Sequence, residues 1–329
     1  MAESVRIGIL GCARIAKAAL IDAAADAKDI TVVAVASRDL ERARLYASQH
    51  GLGAAYGSYA DLLADPGVDA VYNPLPNSLH ARWTIQALEA GKAVLCEKPL
   101  ASNAGEARAM VAAARRTGMP LMEAFHYRHH PLGQFIADIA RSERLGRLIS
   151  LDAGFEVPAA LVAKDDIRFQ AELAGGAMMD VGSYCINVLR LVAGEEPRVT
   201  SADATIVAPG VDGAMKASLA FPSGAIGSVS ASLAADGFRA WLSVQGERGR
   251  LEVSNPFVPQ LGHEVSLDEG GSISRRQFDL TPTYVYQARA FAAFVRDGSP
   301  TISPAEDGVA NMAAVDAIYA ASGLAPRGA

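Results

Sequence analysis

Lys98, Asp180 and Tyr184 are the residues of this chain whose types and surroundings suit the handling of a proton. Lys98 stands in Ala93-Val94-Leu95-Cys96-Glu97-Lys98-Pro99-Leu100, where an apolar run ends in a lysine and Pro99 keeps the residue before it out of helical geometry. That presents one ammonium at the carboxyl end of a parallel strand, the edge at which open α/β sheets bind ligands. An ordinary lysine at a strand–loop junction would read the same way. Asp180 and Tyr184 lie at i and i+4 within Gly175-Gly176-Ala177-Met178-Met179-Asp180-Val181-Gly182-Ser183-Tyr184, and on a helix that spacing puts them on one face. The two glycines let the start of that helix approach something closely. A capping aspartate and a core tyrosine would carry the same spacing. Together with Lys98 the pair makes a chemical set. Oxidising an alcohol carbon requires a base for the hydroxyl proton, and a free tyrosine is too weak an acid, with a pKa of about 10. A nearby ammonium favours the phenolate. Asp180 then anchors a substrate hydroxyl or biases the charge of the pair.

The elements that must position these residues alternate in type. Val5–Leu10 reads as a buried strand, and Gly11-Cys12-Ala13-Arg14-Ile15-Ala16 runs from it into an alanine-rich helix. This is a G-x-A-x-x-A variant of the dinucleotide fingerprint, whose helix terminus holds phosphate with free N–H groups and its positive dipole end. The second strand, Ile30–Ala36, ends in Ser37-Arg38-Asp39. An NAD enzyme usually carries an acid there for the ribose hydroxyls. A hydroxyl and a guanidinium suit a 2′-phosphate instead, and Asp39 reads as the cap of the next helix. NADP(H) is therefore favoured, with NAD(H) as the alternative. Further strands are expected at Val68–Asn73, Ala93–Cys96 and Pro120–Ala124, with helices between them. Through Ala124 this is a doubly wound parallel sheet.

Beyond Ala124 the pattern changes. A strand at Arg147–Val157 precedes a polar loop through Gln170 and the helix of Asp180 and Tyr184, which Gly194 stops. Val199–Val207, Met215–Phe221, Ala225–Leu233, Arg239–Gln245 and Gly249–Val253 alternate like strands of an antiparallel meander, and two helices close the chain at about Thr283–Arg296 and Pro304–Ala321. The expected organisation is α/β plus α+β. Residues 1–124 form a Rossmann-type nucleotide domain and 125–329 a substrate-binding and oligomerisation domain on a large, mostly antiparallel sheet. The last helices have the option of packing back on the first domain.

Several motifs taken together resemble the glucose–fructose oxidoreductase / inositol dehydrogenase (Gfo/Idh/MocA) family over nearly the whole length. They are Gly8-x-x-Gly11-x-Ala13-x-Ile15-Ala16, Pro76-Asn77-x-x-His80, Gly91-Lys92-x-Val94-Leu95-x-Glu97-Lys98-Pro99, Tyr127-Arg128-x-x-Pro131 and Gly175-Gly176-x-x-x-Asp180-x-Gly182-x-Tyr184. The resemblance implies Lys98 as active-site lysine, Asp180 as the family aspartate and Tyr184 at the acid/base position, where many members have histidine. Tyrosine there is similar to the branch with glucose–fructose oxidoreductase, NADP-dependent xylose dehydrogenase and dimeric dihydrodiol dehydrogenase. Ala13, where the family commonly has glycine, is the departure. The implied cofactor set is Gly11, Cys12, Ala13, Arg14, Ile15, Ser37, Arg38, Pro76, Asn77, His80, Glu97 and Lys98. Arg128 and Arg168 join Lys98, Asp180 and Tyr184 as substrate-binding candidates.

Composition narrows the alternatives. The chain has 329 residues, 50% hydrophobic and 20% charged, enough for two cored domains. A net charge of −6 argues against a general nucleic-acid binder. Cys12, Cys96 and Cys185 are scattered, which fits a reducing, cytoplasmic setting and no zinc site. The start Met1-Ala2-Glu3-Ser4 reads as no signal peptide, and no apolar run reaches membrane-spanning length. His129-His130 lacks a third ligand, so no metal is expected. Trp83 and Trp241 read as packing residues. The meander is expected to leave an apolar face that a partner covers, giving a homodimer or homotetramer. The reading is an NADP(H)-dependent oxidoreductase acting on a sugar, anhydro-sugar, polyol or cyclic diol. Its rivals are an NAD-dependent glycoside hydrolase of the same fold and a non-catalytic nucleotide sensor.

Overall fold

The structure, a computed structural model, describes residues 4–163 and 166–328. The segment Met1-Ala2-Glu3, read above as no leader, lies outside the described residues. The chain divides into two compact units, one of Met1–Ala101, Gly105–His129 and Pro282–Val309, the other of Ser102–Ala104, His130–Thr281 and Ala310–Ala329.

The first unit is built on six parallel strands: β1 (Val5–Leu10), β2 (Ile30–Ala36), β3 (Ala54–Tyr56), β4 (Ala70–Asn73), β5 (Ala93–Cys96) and β6 (Leu121–Glu123). Their order is β3-β2-β1-β4-β5-β6, with the reversal of direction between β1 and β4. Every residue of β4 and β5 is buried, as a sheet covered on both faces demands. The helix Thr283–Asp297 belongs to this unit. Its Val285, Ala288, Phe291 and Ala292 join Val5, Ile7 and Ile9 in one core. A fully buried side chain such as Phe291 contributes about 1.5–3 kcal/mol.

The second unit carries an eight-stranded sheet. Its strands are β7 (Leu148–Pro158), β8 (Arg198–Ala208), β9 (Val211–Ala220), β10 (Ile226–Ala235), β11 (Arg239–Gly246), β12 (Gly249–Ser254), β13 (Glu264–Glu269) and β14 (Ser272–Arg276). The order is β14-β13-β12-β11-β7-β10-β9-β8. The meander is thus split: β7 inserts between β10 and β11, parallel to the first and antiparallel to the second. The turns at Pro222-Ser223-Gly224 and Gly246-Glu247 do close hairpins, β9–β10 and β11–β12. β13 and β14 extend the sheet beyond the strands expected from sequence.

Alternation along β7 sorts its two faces. Leu151, Ala153 and Phe155 are buried, while Asp152 and Glu156, on the alternate positions, are partly exposed. Helix 177–193 packs against β7 and β10. The opposite face is not the apolar surface expected. It carries Asp152, Glu156, Lys216, Ser228, Ser230 and Trp241, and Asp203 of β8 stands opposite Lys216 of β9. Trp241 lies across Gly154 and its indole N–H donates to Asp152, as does the Ser228 hydroxyl. The serines of β10 fall on this side because Val229, Ala231 and Leu233 are needed on the other.

Two helices contain a π-turn that a period of 3.6 does not show. One spans Lys17–Ile21 in the helix after β1, and the other spans Met178–Gly182 at the start of helix 177–193. π-Turns occur preferentially at functional positions.

Candidate active site

The loop after β1 has the form of a phosphate cradle. Gly11 has φ +88°, and a Cβ there would meet Leu75 at 2.8 Å. Ala13 is the cap residue of the helix beginning at Arg14, and its own side chain makes no capping hydrogen bond. Ile15 is 38% exposed and Arg14 is exposed. Cys12 and Ala13 are partly buried, and their carbonyls are held from the neighbouring helix Leu40–His50. Arg42 donates to Cys12 O at 3.4 Å and Tyr46 to Ala13 O at 3.2 Å. Sequence reasoning missed both; an arginine one helical turn after Arg38 was the available signal. At the end of β2, Ser37 is buried and Arg38 exposed. Asp39 caps the next helix, accepting from Glu41 N at 2.9 Å and Arg42 N at 3.3 Å. Burial raises the Tyr59 phenol while the Arg38 and Arg42 guanidiniums pull it down, so both cations act on one hydroxyl. The glycine turn, the helix start capped by an alanine and the two guanidiniums fit a phosphorylated dinucleotide.

Lys98 follows β5 and is partly buried. Its loop is tied on both sides. Glu97, 8% exposed, accepts the Tyr72 hydroxyl at 2.6 Å and the Lys98 N–H at 3.3 Å. Leu100 N donates to Glu123 at 2.8 Å. His80, 1% exposed, has Nδ1 at 2.9 Å from Pro99 O and Nε2 at 2.8 Å from Leu75 O. Two carbonyls ask for a doubly protonated ring, yet burial pushes His80 down to about 4. At neutral pH the ring is neutral, and a single N–H serves one of the two. His80 therefore staples the Lys98 loop, at Pro99, to Leu75. Pro76 and Asn77, at the start of the helix Asn77–Glu89, are partly exposed beside it.

In the second unit Asp180 lies inside the π-turn and Tyr184 in the α-helix Ser183–Ala193. Arg168 is brought to them from the short 3-10 turn Ile167–Phe169. Its Nε donates to Asp180 at 2.5 Å, and its Nη1 to both oxygens of Asp166 at 3.1 Å. The Asp166 side chain is 2% exposed. Gly175 allows this approach, because a Cβ there would stand 2.5 Å from Arg168 O. Arg168 is thus the partner of Asp180, an arrangement that spacing alone did not show. Tyr184 is 6% exposed, and its ring lies 5.6 Å from Phe155 and 5.4 Å from Phe257. This aromatic wall was also unread in the sequence, because Phe155 and Phe257 come from separate strand and loop segments.

Arg128 lies in the first unit. It pairs with Asp307 and is 10% exposed. His129 closes the 3-10 turn His126–His129. His130 caps the helix Pro131–Arg141, accepting from Leu132 N at 3.1 Å and donating from Nε2 to Asp279 O at 3.1 Å.

Residues 5–125 match a family described as "Oxidoreductase family, NAD-binding Rossmann fold", and residues 134–252 match "GFO/IDH/MocA C-terminal domain". The chain is 40% identical over 314 residues to D-xylose 1-dehydrogenase (NADP(+)) 2 of Haloferax volcanii, covering 95% of each chain. It is 38% identical over 226 residues to trans-1,2-dihydrobenzene-1,2-diol dehydrogenase of Sus scrofa, covering 68% of this chain and 66% of the relative. Among solved structures it is similar to a 3-ketoreductase from Actinomadura kijaniata in complex with NADP and TDP-benzene. There the TM-score is 0.86 at 30% identity, over 97% of this chain and 98% of the other. An aldose-aldose oxidoreductase from Caulobacter crescentus complexed with glycerol gives a TM-score of 0.88 at 25% identity, over 97% and 98%. With both halves matched and the motif residues in place, the chain belongs to the Gfo/Idh/MocA family of oxidoreductases.

Proposed function

We propose that this enzyme is an NADP(H)-dependent dehydrogenase or reductase of a sugar, anhydro-sugar, polyol or cyclic diol, with Tyr184 as its acid/base. The observation that carries the reading is the setting of Tyr184: a nearly buried phenol packed against the stacked pair Phe155 and Phe257, one turn beyond an aspartate whose charge Arg168 holds. Nicotinamide, when bound, supplies the hydride acceptor or donor. The protein supplies the rest. Gly11 makes the turn, its own N–H bound to Ala36 O at 2.8 Å, while Cys12, Ala13, Arg14 and Ile15 face the pyrophosphate with their backbone, and Ser37 and Arg38 hold the 2′-phosphate, with Arg42 bracing the loop. Pro76, Asn77 and Glu97 shape the edge of the sheet on which Lys98 stands. Tyr184 Oη takes the hydroxyl proton in oxidation and returns it in reduction. Lys98 Nζ stabilises the phenolate and orients the alcohol oxygen. Asp180 accepts a neighbouring hydroxyl, its carboxylate oriented by the Arg168 bond. An aromatic wall suits a ring that offers C–H bonds on one face and hydroxyls on its edge.

The test is a panel of aldoses, anhydro-sugars, inositols and cyclic diols, read as absorbance of reduced cofactor with NADP and NAD in parallel. Turnover on at least one such alcohol, faster with NADP, is expected. Release of free sugar from a glycoside without net reduction of cofactor would point to hydrolysis instead. A homodimer or homotetramer is part of the same proposal. The polar sheet face makes such assembly sensitive to salt, so light scattering at micromolar protein should show an oligomer at low ionic strength.

A further inference from the structure

The helix that carries Asp180 and Tyr184 is capped by a residue that follows it in the chain. Met178 N, one of the orphan donors of the first turn, donates to Asp212 Oδ2 at 2.7 Å. Asp212 lies at the start of β9 and is fully buried. Its other oxygen accepts the Tyr319 hydroxyl at 2.8 Å and Arg327 Nη2 at 2.6 Å. Arg327 is 6% exposed, and its guanidinium stacks 4.1 Å from the centre of the Tyr319 ring. Its Nη1 donates to Gly210 O, and its own carbonyl accepts Asn103 Nδ2 at 2.8 Å. The three side chains close on one bare Cα. Gly176 has φ +136°, and a Cβ there would stand 2.1 Å from Asp212 Oδ1, 2.6 Å from the Tyr319 hydroxyl and 3.0 Å from Arg327 Nη2. The close approach that the glycine pair allows is thus to this cluster and, at Gly175, to the backbone of Arg168.

We propose that Arg327, acting through Asp212, is a positioning residue that sets the start of the Asp180–Tyr184 helix. The argument is electrostatic and geometric. A carboxylate at a helix amino terminus is stabilised by the N–H groups and the dipole there. A fully buried one needs a paired cation as well. Arg327 is that cation, and it holds Asp212 by a single nitrogen while its second terminal nitrogen anchors to Gly210. Without it, Asp212 is a buried unpaired charge. It then takes up a proton or turns away, and in either case the Met178 N–H loses its strong acceptor. The first turn loosens two residues before Asp180. This inference rests on the proposed role of Tyr184.

The experiment compares Arg327→Met and Arg327→Lys in the full chain, with hydrogen–deuterium exchange and steady-state kinetics on the best substrate of the panel. Exchange in peptides covering 176–184 should quicken at least tenfold in Arg327→Met and less in Arg327→Lys. The turnover number should fall about tenfold in Arg327→Met, recover at least partly in Arg327→Lys, and cofactor affinity should stay within about twofold. In the Tyr184→Phe background, Arg327→Met should add little, because both act on one step. Unchanged exchange over 176–184 overturns the latch. Quickened exchange with unchanged turnover overturns the positioning role. If Tyr184→Phe itself retains turnover, the acid/base reading fails while the exchange result still decides the latch. Should Arg327→Met not fold, Tyr319→Phe removes one hydroxyl from Asp212 at constant shape, and a roughly threefold version of both effects is expected.

Discussion

The Lys98 loop and the start of the Asp180–Tyr184 helix are both tied down by buried carboxylates, but the ties have different reach along the chain. Around Lys98 the partners are near: Tyr72 is 25 residues from Glu97, Leu100 is 23 from Glu123, and His80 is 19 from Pro99 and 5 from Leu75. Around Asp180 the nearest tie is Arg168, 12 residues away, but Met178 reaches Asp212 across 34, and Asp212 reaches Tyr319 and Arg327 across 107 and 115. A loop held by its neighbours leaves a compact motif in the sequence. A helix held by distant segments leaves only its own residues and the glycines that make room for the rest.

Substitutions can break or sharpen that contrast. The largest effect belongs to the proton. Tyr184→Phe should lower kcat at least a hundredfold while cofactor affinity stays within a few-fold, since a general acid/base contributes roughly a hundredfold to ten-thousandfold. Lys98→Met should be as damaging. The losses should not add, and the limb of the pH profile for oxidation should move in Lys98→Met. Steady-state kinetics on both single variants and the double variant measure this. Near-normal turnover of Tyr184→Phe would place the base elsewhere.

Next in size is Arg168. Replacing it by methionine leaves Asp166 and Asp180 without their shared cation. A hydrogen bond to a charged group contributes about 1.5–3 kcal/mol, so kcat/KM should fall about tenfold or more. Loss in KM for the alcohol with unchanged KM for cofactor is the expected split. A pure cofactor effect would contradict it.

Arg38→Asp probes the other unit. It exchanges the guanidinium for a carboxylate and should shift preference from NADP toward NAD by about tenfold or more. Fluorescence titration with both reduced cofactors reads it directly. Equal affinity of the unaltered protein for both would remove the basis of the expectation.

The smallest effect is on stability. His80 is held at about 4 and His129 at about 3, each mainly by burial. Their folded values lie below that of an unfolded histidine, about 6.5. The stability linked to each is therefore complete above about 6.5 and is lost as pH falls toward the folded value. The melting temperature should drop by several degrees from pH 7 to pH 5, and His80→Gln should flatten that slope. A slope unchanged in His80→Gln would mean that the staple does not titrate.

How much of this was legible follows from the same contrast. Five strands of the first unit announced themselves as continuous apolar runs, whereas β3, three partly exposed residues long, did not, and Ser37, Arg38 and Asp39 could be assigned tasks from position alone. The strands of the second unit from β7 to β12 were visible by alternation, but their pairing was not, and β13 was not read either. Nothing in Leu148–Pro158 says that β7 enters the middle of a later meander. β14 was missed because its residues, Ser272–Arg276, are nearly all exposed and carry no apolar period. The free sheet face was misjudged for the converse reason. Alternation shows that two faces differ, and only the packed helix decides which of them is covered. At the site, Asp180 and Tyr184 were readable as a pair, whereas Arg168 as the partner of Asp180, Phe155, Phe257 and Asp212 depended on contacts that no local spacing encodes.

The π-turn at Met178–Gly182 makes chain length as much a determinant as side-chain identity. It holds one residue more than a regular turn would. Removing a single residue there would let the helix wind regularly, and everything beyond would rotate by about 100° and slide by about 1.5 Å relative to the capped start. Tyr184 would then leave the Phe155–Phe257 wall with every side chain still present. A one-residue deletion between Met178 and Gly182 is thus a more severe lesion than most replacements in the same stretch, and grafts of this helix between relatives must carry the turn whole.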